Sequence, residues 1–255
     1  MSIQLTLDIE PFIIENTIIT TLTNSGYLLY TLNMLKSLKP YHLDKKVLIV
    51  CVDKEGTETL KRKGYDSICV NEEYSKFSPW NSTEYVKICY LKLELIYKIL
   101  LRKNVLLIDG DIVFKKNPLD DLTKWSKDII DVWIQNDSVE NNNTNNMCTG
   151  YMFIKTNSKM IKLYDVISEE GRKKYLKCAF NNNDQTYFNE FVKPRCTFKA
   201  LPLEKYPNGK MFYDNPTLDP VLVHFNWLKG HLKMVKMKEV KMWLLTAEEE
   251  KGSFT

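Results

Sequence analysis

A chain of 255 residues with 44% hydrophobic and 27% charged residues has the balance of an ordinary globular protein, long enough for one large domain. A net charge of +4, with Lys and Glu interspersed, argues against a nucleic-acid partner. No apolar run is long enough to span a bilayer and no secretory pattern opens the chain, so a soluble, cytoplasmic protein is expected, of open oligomeric state. Cys51, Cys69, Cys89, Cys148, Cys178 and Cys196 show no metal-type pairing and read as reduced thiols.

In chain order, "NTIITTLTN" (16–24) predicts a strand, "GYLLYTLNMLKSL" (26–38) a helix and "KVLIVCVD" (46–53) a second strand. "EGTETLKRKG" (55–64) follows as a polar helix and "SICV" (67–70) as a third strand. This alternation belongs to an α/β protein with a mostly parallel sheet. A long helix is predicted between Glu84 and Lys103, because Cys89, Leu93, Ile96 and Leu100 form one apolar stripe. The next strand, 104–108, runs into Asp109, at the carboxyl end where open α/β sheets bind ligands. Strands are further predicted at 130–135, 150–155, 195–201 and 221–225, and helices at 158–168 and 183–192. The polar stretch "NDSVENNNTNN" (136–146) reads as a mobile surface loop and a candidate lid. No linker divides the chain, so one domain over 1–255 is expected, with a nucleotide-binding half near 16–115 and an acceptor and catalytic half near 116–246.

Asp109-Gly110-Asp111 closes the most hydrophobic strand, where two unpaired carboxylates would be costly unless a cation holds them. If the segment is extended, positions i and i+2 face one side and the two carboxylates converge. Gly110 would let a ligand approach the backbone. A hard divalent ion completed by phosphate oxygens fits such a pair, although Asp-Gly also marks tight turns. Of three histidines, His224 ends an apolar run as Asp109 does. It reads either as a satisfied strand-end histidine or as a third ligand favouring manganese over magnesium. Gly230 and Lys233 form a Gly-x-x-Lys turn suited to a diphosphate. Asp184, Gln185 and Asn189 start a predicted helix, as caps or as groups for sugar hydroxyls. Lys92 lies on or beside an apolar stripe, either snorkelling or paired with a buried carboxylate or phosphate. Tyr74, Phe77, Trp80 and Trp227 are candidates for stacking on a sugar, with plain packing the commoner outcome.

The pieces "TLTNSGYLLYTLNMLKSL", "YLKLELIYKIL", "VLLIDGDIVFKKNPL", "CTGYMFIKTN", "NDQTYFN", "LPLEKYPNG" and "VHFNWLKGHLK" with its following "MW" occur in an order that resembles the nucleotide-diphospho-sugar transferases of the A-type glycosyltransferase (GT-A) fold, especially the glycosyltransferase family 77-like group and more distantly the glycogenin-like group. The resemblance implies a Rossmann-like mixed sheet flanked by helices. It implies Asp109, Asp111 and His224 as metal ligands, with Mn2+ as the ion and Mg2+ as the alternative. Thr23, Asn24 and Asp53 would hold the nucleoside, Lys92 would lie near the donor's sugar and phosphates, and Gly110, Gly230 and Lys233 would complete the donor site. Asp184 and Gln185 match the pair facing the transferred sugar. Cys148-Thr149-Gly150 departs from the Asn-Thr/Ala-Gly of many relatives, and membrane anchors and stems common among them are not seen.

The implied activity is retaining transfer from a nucleotide-sugar, a UDP-sugar first, to a glycan or glycoprotein hydroxyl. One rival is a non-catalytic nucleotide- or sugar-binding module of the same fold, against which the full set of candidate groups counts. A nucleotidyltransferase ranks below both, because "TNSGYLLYT" has one glycine and no basic residue.

Overall fold

The computed structural model describes Ile3 and residues 8–70, 83–177 and 183–251. A short β1 (Ile13–Ile14) pairs with β2 (Thr17–Thr23), and after α1 (Leu28–Leu38) come β3 (Val47–Cys51), α2 (Lys54–Arg62) and β4 (Ser67–Cys69). The long helix α3 (Thr83–Leu100) leads into β5 (Asn104–Ile108), β6 (Ile112–Phe114) and α4 (Leu119–Lys127). β7 (Val132–Asn136) and β8 (Met147–Ile154) precede α5 (Ser158–Tyr164), α6 (Glu169–Lys177) and α7 (Asp184–Tyr187). The predicted 183–192 helix is thus one α-turn continued by a wider π-helical turn, Phe188–Val192. β9 (Phe198–Leu201), α8 (Gly209–Asp214), β10 (Leu222–His224), α9 (Leu232–Glu239) and α10 (Ala247–Lys251) follow. Among the described residues, no helix is long and apolar enough to cross a membrane.

The main sheet runs β4-β3-β2-β5-β8-β7-β9, with β1 on β2. β4, β3, β2 and β5 are parallel, as the βαβ alternation predicts, and β7 is parallel to β9, while β8 runs antiparallel between β5 and β7. "VLLI" is apolar throughout because helices cover both faces. Val105 and Leu107 pack with α3 residues such as Leu93, Ile96 and Leu100, whereas Leu106 and Ile108 pack with Leu32 and Leu35 of α1. This pleated alternation seals β5 on both sides and leaves only its carboxyl end for polar groups. The described cysteines are free, with Cys51, Cys89 and Cys148 buried; Cys178 lies outside the described residues.

Two local features aim side chains at that end. β10 pairs antiparallel with β6 in a separate two-stranded sheet, setting His224 opposite Ile112, and Phe225 donates its N–H to the Asp111 carbonyl at 3.0 Å. Between β7 and β8 the register jumps from Ile134–Met152 to Gln135–Cys148, a bulge of the kind that re-aims side chains beside a site.

Candidate active site

Asp109 and Asp111 do converge, but through a turn rather than an extended segment. The Ile112 N–H donates to the Asp109 carbonyl at 3.2 Å, which folds the chain at Gly110. A neighbour requires glycine at position 110: a Cβ there would stand 2.5 Å from Thr31 Oγ1. His224 joins the pair, and one ligand atom of each of the three residues lies within 4.8 Å of the others. Asp111 and His224 are buried; Asp109 is partly open.

Two lysines balance the carboxylates. Lys92 Nζ bridges Asp109 Oδ1 at 2.7 Å and Asp184 Oδ2 at 2.9 Å, so it is paired rather than snorkelling. Burial alone would lower its pKa, but Asp109 and Asp184 override that and raise it above the ordinary lysine range. Lys233 Nζ binds Asp111 and also donates to the Tyr27 hydroxyl at 2.8 Å. Burial would raise the Asp111 pKa, yet Lys233 and then His224 hold it well below the usual carboxylate range. His224 Nε2 lies 3.2 Å from Asp111 Oδ1; against the opposing effect of burial, Asp111 lifts the imidazole pKa to about 10. Asp184 is also held down: Lys92 overrides its burial, and Thr149 Oγ1 donates to its Oδ2 at 2.5 Å.

Thr23, Asn24 and Asp53 gather as predicted at the carboxyl ends of β2 and β3, all buried. Asp53 also organises its own surroundings. Its carboxylate accepts the Gly56 N–H, capping α2, and the Ser25 N–H, each at 2.7 Å. Thr23 Oγ1 meets Thr31 Oγ1 at 2.8 Å, which connects this edge to the Asp-Gly-Asp turn. Gly230 takes φ +51°, a left-handed value that suits glycine, and its carbonyl accepts the Lys233 N–H at 3.2 Å.

Asp184 and Gln185 diverge. Asp184 enters the lysine-carboxylate cluster, whereas Gln185 Nε2 donates to Asp137 Oδ2 at 3.0 Å. Asp137, not singled out in the sequence, accepts bonds from three segments: Gln185, Asn146, and Asn226 with the indole N–H of Trp227. Trp227 itself is 57% exposed at φ +66°. Asn189 does not face a site: its side chain holds both the N–H and the carbonyl of Met147. Tyr74, Phe77 and Trp80 lie outside the described residues. Within the 136–146 segment, Asn136, Ser138 and Asn143 cap nearby N–H groups, and Lys193 donates to the carbonyls of Thr144 and Asn145.

Thr149 and Gly150, from the motif that departs from many relatives, also belong to the site, as do Gln135 and Tyr27, which the sequence did not single out. Gln135, fully buried, ends an apolar strand as Asp109 does, and that was the available signal. Gly150 backs the histidine: a Cβ there would stand 2.2 Å from His224 Cε1 and 2.9 Å from Asp109 Oδ2. Gly150→Ala is therefore expected to cost about 1–3 kcal/mol in urea denaturation, the range for overpacking. A variant as stable as wild type would mean that ring and strand part freely.

A family model for nucleotide-diphospho-sugar transferases matches residues 42–239. A curated relative, a UDP-galactose:fucoside alpha-3-galactosyltransferase of Dictyostelium discoideum, is 22% identical over 301 residues, covering 93% of this chain and 44% of the relative. The chain thus spans under half of that relative's length. Among solved structures, the galactosyltransferase LgtC in complex with donor and acceptor sugar analogs superposes with a TM-score of 0.54 at 14% identity, over 92% of this chain and 100% of that one. A glycosyltransferase involved in glycosylation of the major capsid of PBCV-1 gives 0.51 at 14% identity, over 87% and 98%. These likenesses show the fold, a GT-A type α/β sheet.

Proposed function

Since the chain belongs to the nucleotide-diphospho-sugar transferase family, we propose that this glycosyltransferase is metal-dependent and retaining, moving a sugar from a UDP-sugar to a hydroxyl of a glycan or glycoprotein. The convergence of Asp109, Asp111 and His224 beside two lysines is the observation that carries this reading. UDP as nucleotide, and galactose as the first sugar to test, follow the name of the Dictyostelium relative.

The donor set fits a divalent ion. Two carboxylates and an imidazole favour Mn2+, with Mg2+ as the alternative. When bound, such an ion supplies positive charge to the departing diphosphate. Charge balance supports this. Without an ion, Lys92, Lys233 and a protonated His224 balance Asp109, Asp111 and Asp184; a divalent ion, which needs the neutral imidazole, would leave one net positive charge and suit the cluster to a diphosphate. Lys233, on the first turn of α9, would exchange Asp111 for a phosphate oxygen. Thr23, Asn24 and Asp53 would line the nucleoside end.

In transfer, the bond between the anomeric carbon and the diphosphate oxygen breaks as the acceptor oxygen bonds to that carbon, and the acceptor proton passes to a diphosphate oxygen. Asp184 would stabilise the positive charge developing on the sugar. Its ion pair with Lys92 keeps it ionised and blunts it as a nucleophile. Gln185, tied to Asp137, would face sugar hydroxyls.

A thermal-shift panel of nucleotides and nucleotide-sugars, each with and without Mn2+, tests the reading. UDP or UDP-galactose is expected to raise Tm by roughly 5–10 °C at saturation, only with metal. If no nucleotide stabilises the protein with metal, the donor site is wrong. Metal-dependent stabilisation without hydrolysis or transfer of any donor would leave a binding module instead.

A further inference from the structure

His224 can serve as a ligand only if Nε2 presents a lone pair to the gap between the carboxylates, which requires the ring hydrogen to sit on Nδ1. Gln135 faces that nitrogen, with its Oε1 2.7 Å from His224 Nδ1. Its amide has one workable orientation, because Nε2 donates to the carbonyls of Tyr206 at 3.1 Å and Pro207 at 2.9 Å. With both amide hydrogens committed to carbonyls, Oε1 toward the ring is an acceptor only. The other group near Nδ1, Cys148 Sγ, is farther at 3.6 Å and a weak partner.

Gln135 is held firmly enough to orient the ring. It is fully buried, sits at the β7–β8 bulge, and its two carbonyl partners belong to the segment that also accepts the His224 N–H, through Pro207, at 3.3 Å. The His224 backbone and the Gln135 amide are thus held by one segment.

We infer that Gln135 is a positioning residue for the metal centre: it fixes His224 as the Nδ1–H tautomer and so presents Nε2 to the ion held with Asp109 and Asp111. This rests on the metal reading above. Outer partners of this kind commonly change metal affinity 10–100-fold when removed.

Two variants separate positioning from structure. Gln135→Met removes the acceptor at similar length. Gln135→Glu keeps an acceptor toward Nδ1 and, like Gln135→Met, loses the amide's two bonds to the Tyr206 and Pro207 carbonyls. Both are expected to be less stable in urea denaturation. Mn2+ affinity, read from the EPR signal of the free ion on the metal-free full chain without nucleotide, should fall 10–100-fold in Gln135→Met and stay within about threefold of wild type in Gln135→Glu. Wild-type affinity in Gln135→Met, or equal loss in both variants, overturns the inference while the metal site stands. No Mn2+ binding by wild type overturns the metal reading and this inference together. A measurement on the unmutated chain closes the gap should Gln135→Glu fail to fold. The long-range 1H–15N NMR spectrum of the Mg2+-loaded protein should show the His224 hydrogen on Nδ1, and a hydrogen on Nε2 would refute the assignment.

Discussion

Asp109→Asn combined with Asp111→Asn is expected to lower sugar transfer by on the order of 10³-fold or more, while donor binding falls much less. The expectation follows from the charges. Amides at both positions remove the two anionic ligands but leave Lys92 on Asp184 and Lys233 on the Tyr27 hydroxyl. With His224 neutral, the cluster then carries one net positive charge, which still attracts a diphosphate without any ion. Binding energy that acts on ground state and transition state alike survives, and the part that meets charge building on the departing diphosphate is lost. Asn is the better test than Ala, because it keeps the volume and a polar atom facing the partly buried Lys233 and the buried His224. The measurement is donor turnover with and without Mn2+, beside UDP affinity in the absence of metal. Full metal-dependent turnover in the double variant would remove both carboxylates from the mechanism.

The legible parts of this site are those carried by one segment. "VLLID" announces a strand buried on both faces that ends in a carboxylate, and that pattern needs no partner to be recognised. Lys92 stood out for the same reason, as a charge on a helix otherwise packed into the core. The parts that stayed hidden depend on pairing. Gln135 acquires its meaning only from His224, 89 residues away, and from a bulge that spacing cannot reveal. The asparagine-rich 136–146 segment reads as mobile because low complexity carries no packing signal, yet asparagine side chains cap neighbouring N–H groups and knit the segment to Asp137. Gly110 shows a third limit. The sequence shows that a glycine is present, but only the approach of Thr31 shows which neighbour requires it.

Lys92→Met is expected to destabilise the protein by about 3–5 kcal/mol at neutral pH, the range for breaking a buried ion pair from one side. Its two carboxylate partners are not equivalent. Asp109 is about one-third exposed and can relax to water or to an ion, whereas Asp184 is 6% exposed and keeps only neutral partners, the Thr149 hydroxyl and the Cys89 thiol. The sign of the pH dependence then distinguishes a lost charge pair from lost packing. In wild type, Lys92 holds the Asp184 pKa below its unfolded value despite burial, so this stabilisation is present above the unfolded pKa and is lost as pH falls through the folded one. Without the ammonium, burial is the larger influence and lifts Asp184 above its unfolded pKa. The folded variant then gains a proton that the unfolded chain does not, and stability lost at neutral pH returns as pH falls toward the unfolded pKa. Urea denaturation at about pH 7 and about pH 4.5 should therefore show a penalty that shrinks on acidification. Adding Asp184→Asn should recover most of it at the higher pH, because the uncompensated charge is gone. A penalty equal at both pH values, and unrelieved by Asp184→Asn, would mean that the helix loses packing when Lys92 is replaced and that its ion pairs contribute little to the fold.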